Sequence, residues 1–122
     1  MRGNKILVVD DEPNIIHSLA FVFKKEGYDV STAEDGEEAM TMIRNSKPDI
    51  LILDVMMPLK SGYDVCQEVK SDPNLQDIQV LMLTAKGQKG DREAALSQGA
   101  DEYISKPFSP IQVLGRVREL LT

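Results

Sequence analysis

Three short apolar runs, Ile6-Leu7-Val8-Val9, Ile50-Leu51-Ile52-Leu53 and Val80-Leu81-Met82-Leu83, constrain this chain more than any other feature. Each is too short to be read as a helix, apolar at every position and bounded by polar residues. Such runs read as strands buried on both faces, the habit of parallel sheets. Two weaker runs differ. Tyr28-Asp29-Val30-Ser31-Thr32 alternates apolar and polar, and Asp101-Glu102-Tyr103-Ile104-Ser105 is half polar, so both read as edge strands.

Helical stretches separate these runs. The first starts near Pro13, a residue tolerated in a first turn, presents Ile16, Leu19, Ala20 and Phe23 on one face, and stops at Gly27. The second opens at Asp35 with Glu38 three residues later, a capping-box pattern, and buries Ala39 and Ile43. The third buries Val65, Cys66 and Val69, and the fourth runs from about Gln88 to Gln98 before Gly99. The fifth has Ser109 as N-cap, then Pro110, with Ile111, Leu114, Val117 and Leu121 at helical spacing.

Strands alternating with helices predict an α/β fold of the (βα)5, flavodoxin-like kind. It is a doubly wound, five-stranded parallel sheet with helices on both faces. Right-handed crossovers and polar edges select the strand order 2-1-3-4-5. The length of 122 residues suits a single domain spanning 1–122, large enough for a core without staples.

The totals narrow the function. A formal charge of -6 argues against direct nucleic-acid binding by this domain, which would rest on neutralised phosphates. No run approaches the roughly 20 apolar residues of a membrane span, and Met1 to Lys5 lead straight into a strand without a signal-peptide apolar region, so the expected setting is cytoplasmic with no membrane partner. One cysteine and one histidine exclude a disulfide framework and a His/Cys zinc site.

In open parallel sheets ligands bind beyond the carboxyl ends of the strands, near the topological switch point. The residues delivered there are Asp10-Asp11-Glu12 after the first run, Asp54 after the third, Thr84 after the fourth and Ser105-Lys106-Pro107 after the fifth. An aspartate after a strand is often only a turn or cap residue, the reading given to Asp35 and Asp101. Four strands converging with complementary chemistry need more than that.

Clustered carboxylates repel: at ~4 Å and an effective dielectric of about 20, each ionised pair costs about 4 kcal/mol. Either one acid takes a proton or a hard cation binds. Mg²⁺ takes one or two carboxylates, keeps waters and leaves room for a phosphate oxygen. One carboxylate could then act as a nucleophile toward phosphorus, with Lys106 and Thr84 contacting phosphoryl oxygens.

These motifs identify a resemblance. Val8-Val9-Asp10-Asp11-Glu12, Leu53-Asp54-Val55-Met56-Met57-Pro58 with Gly62 beyond, Leu83-Thr84-Ala85, Gly99-Ala100-Asp101-Glu102-Tyr103 and Lys106-Pro107-Phe108, in that order, resemble the receiver domain of two-component response regulators over the whole chain. The resemblance implies that Asp54 accepts a phosphoryl group from a partner sensor histidine kinase or phosphotransfer protein. It implies that Asp11, Asp54 and the main-chain carbonyl of Met56 ligate Mg²⁺, with Asp10 acting through a water. Thr84 would be the switch hydroxyl, Lys106 the phosphate-binding cation and Tyr103 the switch aromatic. Slow self-dephosphorylation and a cis Lys106-Pro107 peptide are also implied. Met56 and Lys86 occupy places that flank the path of the hydrolytic water in this family, and are expected to set phosphoryl lifetime.

The fourth helix, fifth strand and fifth helix carry Asp91, Arg92, Glu102, Arg116 and Arg118. They read either as a solvated charged face or, by the resemblance, as a homodimer surface formed on phosphorylation, with Glu102 and Arg116 as the expected pair. His17 reads as a helix-surface residue, Cys66 as a small apolar filler, and Met40, Met42 and Met82 as packing.

Two other functions compete. A phosphohydrolase of the haloacid dehalogenase type also uses a strand-end Asp, Mg²⁺, Thr and Lys, but it places a second Asp two residues after the nucleophile, where this chain has Met56. A flavodoxin-like cofactor binder would need a phosphate cradle after the first strand, where Asp10-Asp11-Glu12 would repel one.

Overall fold

A computed structural model describes residues 4–57, 60–84 and 99–121. The elements run β1 (Lys5–Val9), α1 (Pro13–Lys25), β2 (Asp29–Ala33), α2 (Gly36–Asn45), β3 (Ile50–Asp54), α3 (Gly62–Ser71), β4 (Gln79–Thr84), β5 (Glu102–Ser105) and a C-terminal helix (Pro110–Leu121). The helix predicted over 88–98 lies outside the described residues. The five strands form one sheet in the order β2-β1-β3-β4-β5, every pair parallel, as the apolar runs required.

Successive strand residues face opposite sides of a sheet, and this alternation divides the core in two. Leu7, Val9, Leu51, Leu53, Val80 and Met82 point toward α2 and α3, where they meet Ala39, Ile43, Val65, Cys66 and Val69. Ile6, Val8, Ile50, Ile52, Leu81, Leu83 and Ile104 point the other way, onto α1 and the C-terminal helix through Leu19, Phe23, Val113 and Val117. Cys66 is fully buried, and burial pushes its thiol up to about 11, consistent with a packing role.

The helix ends follow local chemistry. Gly27 closes α1 with φ at 94°, a left-handed conformation that favours glycine. Asp35 caps α2 by accepting the Glu38 N–H at 2.8 Å, but the Glu38 carboxylate reaches back to the N–H of Glu34 rather than to Asp35. A full reciprocal capping box forms instead at α3, between Ser61 and Asp64. Ser109 caps the C-terminal helix by accepting the Gln112 N–H at 3.1 Å.

Two core assignments change. Ile111, expected on the buried stripe, is 66% exposed, while Val113, unassigned from sequence, is fully buried. Val113, Leu114 and Val117 centre the buried face, and at about 100° per residue Ile111 points roughly a third of a turn away from that centre. Ala20 is only half-buried on α1. Asp101 is more than a turn residue, because its Oδ2 accepts the Val80 N–H at 2.8 Å and pairs with Lys70 at 3.0 Å.

Candidate functional site

The two central strands, β1 and β3, are followed by crossovers that diverge, to β2 on one side and β4 on the other. The carboxyl edge between them is the switch point of the sheet. Asp54 is the last residue of β3 and Asp10 follows β1 directly, so both carboxylates are carried there by rigid backbone. Asp10, Asp11 and Asp54 each present one carboxylate oxygen, and these oxygens all lie within 4.8 Å of one another. Asp10 and Asp54 are buried, whereas Asp11 is exposed.

Lys106 enters from the end of β5. Its Nζ lies 3.4 Å from Asp10 Oδ2, 3.4 Å from Asp54 Oδ1 and 3.1 Å from Glu12 Oε1. One ammonium thus faces three carboxylates, which leaves the cluster short of positive charge. Asp10 Oδ1 accepts the Glu12 N–H at 2.9 Å, but Asp10 Oδ2 makes no hydrogen bond and is the single buried side-chain polar atom so placed among the described residues. It lies near Lys106 as an ion pair without hydrogen-bond geometry.

Burial sets the electrostatics of the cluster first, and the neighbouring charges modify it. Burial, and then the Asp10 charge, push Asp54 up to about 6, against the opposing pull of Lys106 and the Met56 N–H. Burial also raises Asp10, partly offset by the Glu12 N–H and Lys106. Burial alone would lower Lys106, but the hydrogen bond to Glu12 and the charges of Asp54 and Asp10 outweigh it and raise its pKa. Three hard oxygen donors lie close together, and the Asp10 carboxylate among them carries a buried oxygen without a hydrogen-bond partner. That donor set fits a small divalent cation such as Mg²⁺.

Of the remaining predicted residues, Thr84 ends β4, Tyr103 lies within β5 and Met56 follows β3. Thr84 is 1% exposed; its Oγ1 donates to the Ile104 carbonyl at 3.5 Å. The Thr84 carbonyl accepts the Lys106 N–H at 2.8 Å, tying the backbones of hydroxyl and cation residues together. The Lys106-Pro107 peptide is cis, as expected. Tyr103 is partly buried against the core on the α2 and α3 side. Met56 points its side chain into solvent, 72% exposed, while its N–H reaches Asp54 Oδ1 at 3.4 Å. A Cβ on Gly62 would sit 2.2 Å from the Asp54 carbonyl oxygen, so glycine is what lets α3 begin against the end of β3.

Lys86, Asp91 and Arg92 lie outside the described residues. Glu102 and Arg116 do pair, at 2.5 Å, but within one chain, and Arg118 pairs with Glu26, the C-cap residue of α1. His17 is exposed on α1. The contact missed in the sequence is that of Glu12 with Lys106. The sequence showed only a third acid in the Asp10-Asp11-Glu12 run, with nothing to tie it to Lys106. No helix among the described residues is long and apolar enough to cross a membrane.

Comparison with known proteins matches residues 6–118 to the family described as the response regulator receiver domain. The "Probable transcriptional regulator ycf27" of Cyanophora paradoxa is 49% identical over 121 residues, covering 99% of this chain and 49% of that protein. The alkaline phosphatase synthesis transcriptional regulatory protein PhoP of Bacillus subtilis is 45% identical over 119 residues, covering 98% and 49%. The chain therefore spans about half the length of these curated relatives. Among solved structures, the signal receiver domain of a signal transduction histidine kinase from Syntrophus aciditrophicus superposes with a TM-score of 0.90 at 33% identity, covering 98% of this chain and 90% of that one.

Proposed function

The chain belongs to the response regulator receiver domain family of two-component signalling, and on that premise we propose that residues 1–122 form one phosphorylation switch whose acceptor is Asp54. What supports the reading most is a single observation. Three carboxylates and one ammonium meet at the switch point of the sheet, and one buried carboxylate oxygen there has no hydrogen-bond partner.

The transfer follows from the chemistry of the groups. A carboxylate oxygen of Asp54 attacks the phosphorus of a phosphohistidine on a partner kinase or phosphotransfer protein. The new O–P bond forms as the P–N bond breaks, and the imidazole leaves with the electron pair. Asp11, Asp54 and the Met56 carbonyl would hold Mg²⁺, with Asp10 acting through a water, and the ion would offset the carboxylate charge and polarise the phosphoryl group. Lys106 neutralises one phosphoryl oxygen and the Thr84 hydroxyl donates to another. Slow attack of water on phosphorus releases phosphate and restores Asp54. Met56 and Lys86, two residues past Asp54 and Thr84 in the sequence, set the rate.

The output is a population shift between two conformations. Thr84 gives up the Ile104 carbonyl for the phosphoryl group, and Tyr103 moves inward behind it. In the active conformation the surface bearing Glu102 and Arg116 forms a homodimer. The setting is cytoplasmic, with no nucleic acid bound by this domain itself. The dehalogenase-type alternative lacks its second acid, since the position is Met56.

The test is incubation with Mg²⁺ and a small acyl phosphate, followed by intact mass. The parent gains one phosphoryl group, while Asp54→Asn gains none. An unmodified parent, or a modified Asp54→Asn variant, contradicts the assignment.

A further inference from the structure

Lys106 is the phosphoryl-binding cation of the proposed site, yet three carboxylates already surround its ammonium, and Glu12 accepts a hydrogen bond from it. The three carboxylates are not equivalent. The side chains of Asp10 and Asp54 are 0% and 5% exposed, fixed by the strands that carry them, and Lys106 Nζ approaches each at 3.4 Å. Glu12 is 58% exposed, and its contact, at 3.1 Å, is the shortest of the three and a hydrogen bond.

The local backbone makes this contact notable. Glu12 is the N-cap residue of α1, the position whose side chain usually turns back to accept a helix N–H. No side-chain cap hydrogen bond forms there. The Glu12 backbone instead serves its neighbours: its N–H goes to Asp10 Oδ1 and its carbonyl accepts the Ile15 and Ile16 N–H groups. The side chain is left to cross from the loop after β1 to the loop after β5. The two residues also line an open cleft with Ile15, Pro107 and Phe108.

We propose that Glu12 is a displaceable counter-ion that occupies the place of a phosphoryl oxygen on Lys106 in the resting protein. This rests on the reading of Asp54 as phosphoacceptor. Of the three carboxylates, Glu12 alone can leave by rotating about side-chain bonds into water. Phosphoryl binding is therefore an exchange of one Lys106 partner for another, and Glu12 is a positioning residue that weakens it. An exposed ion pair of this kind contributes little, which caps the effect at about two- to fivefold in affinity.

The experiment measures binding of beryllofluoride, a phosphoryl mimic, by calorimetry at saturating Mg²⁺. The parent is compared with Glu12→Gln and Glu12→Asp, each checked for a cooperative melt. Glu12→Gln keeps the size and loses the charge. Glu12→Asp keeps the charge but shortens the reach, and an N-cap aspartate is drawn back to the helix N–H groups. Displacement from Lys106 predicts that both variants bind about two- to fivefold tighter. Tightening in Glu12→Gln with parent-like binding in Glu12→Asp would show diffuse charge repulsion and overturn the proposal, as would parent-like or weaker binding in both. A parent that neither binds beryllofluoride nor gains a phosphoryl group from an acyl phosphate would instead remove the acceptor reading itself.

Discussion

The ammonium of Lys106 lies 3.4 Å from Oδ1 of Asp54, and the same ammonium lies 3.4 Å from Oδ2 of Asp10. One cation thus serves two buried anions that share a sheet edge. The resting cluster holds more carboxylates than cations, and burial together with the Asp10 charge pushes Asp54 up to about 6.

Replacing Asp54 by Asn should stabilise the metal-free protein. Burial and the Asp10 charge hold the folded-state carboxyl at about 6, above its ordinary value of 3.8. A carboxyl that binds its proton more tightly when folded destabilises the fold in its ionised form. The penalty is complete above about 6 and fades as pH falls toward 4. Denaturant unfolding in chelator at pH 8 should show Asp54→Asn more stable than the parent by about 1–3 kcal/mol, with the gap closing at pH 4. A variant less stable at pH 8, or a gap that does not depend on pH, contradicts this electrostatic account.

Gly62→Ala should damage both fold and site. The added Cβ would sit 2.2 Å from the carbonyl oxygen of Asp54 and 2.9 Å from the Val55 Cα, both main-chain atoms that cannot rotate away. The expected loss is about 1–3 kcal/mol, read as a lower urea midpoint, together with slower phosphorylation by an acyl phosphate. An unchanged midpoint would show that α3 shifts away from β3 without cost.

The surface bearing Glu102 and Arg116 should associate only in the active conformation. Their 2.5 Å contact lies within one chain, so a dimer must re-use charges that already have partners. Sedimentation with Mg²⁺ and beryllofluoride should show a dimer that weakens in Arg116→Ala, and monomer without the mimic. Monomer under both conditions removes the homodimer from the proposal.

The sheet and the placement of most strand-end polar residues were legible in the sequence because both rest on local rules. Runs such as Ile50 to Leu53 are apolar at every position, which only a strand covered on both faces explains, and the polar residue after each run marks the carboxyl edge. That is why the sequence alone assigns Asp10, Asp54, Thr84 and Lys106 to one edge of the sheet. What was not legible depends on tertiary direction. Ile111 keeps helical spacing with Leu114, yet the axis of the C-terminal helix turns it to solvent. Glu12 carries no pattern that says whether it caps α1 or reaches 94 residues along the chain to Lys106. The clash that requires Gly62 arises between α3 and the end of β3, which no spacing of residues announces.

The most direct test of the central claim locates the phosphoryl group chemically. Protein treated with Mg²⁺ and an acyl phosphate is reduced with borohydride, which converts an aspartyl phosphate to homoserine, and the product is digested and sequenced by mass spectrometry. The account predicts homoserine at position 54 and nowhere else. Homoserine at position 10 or 11, or a phosphoryl group retained on His17, would contradict it.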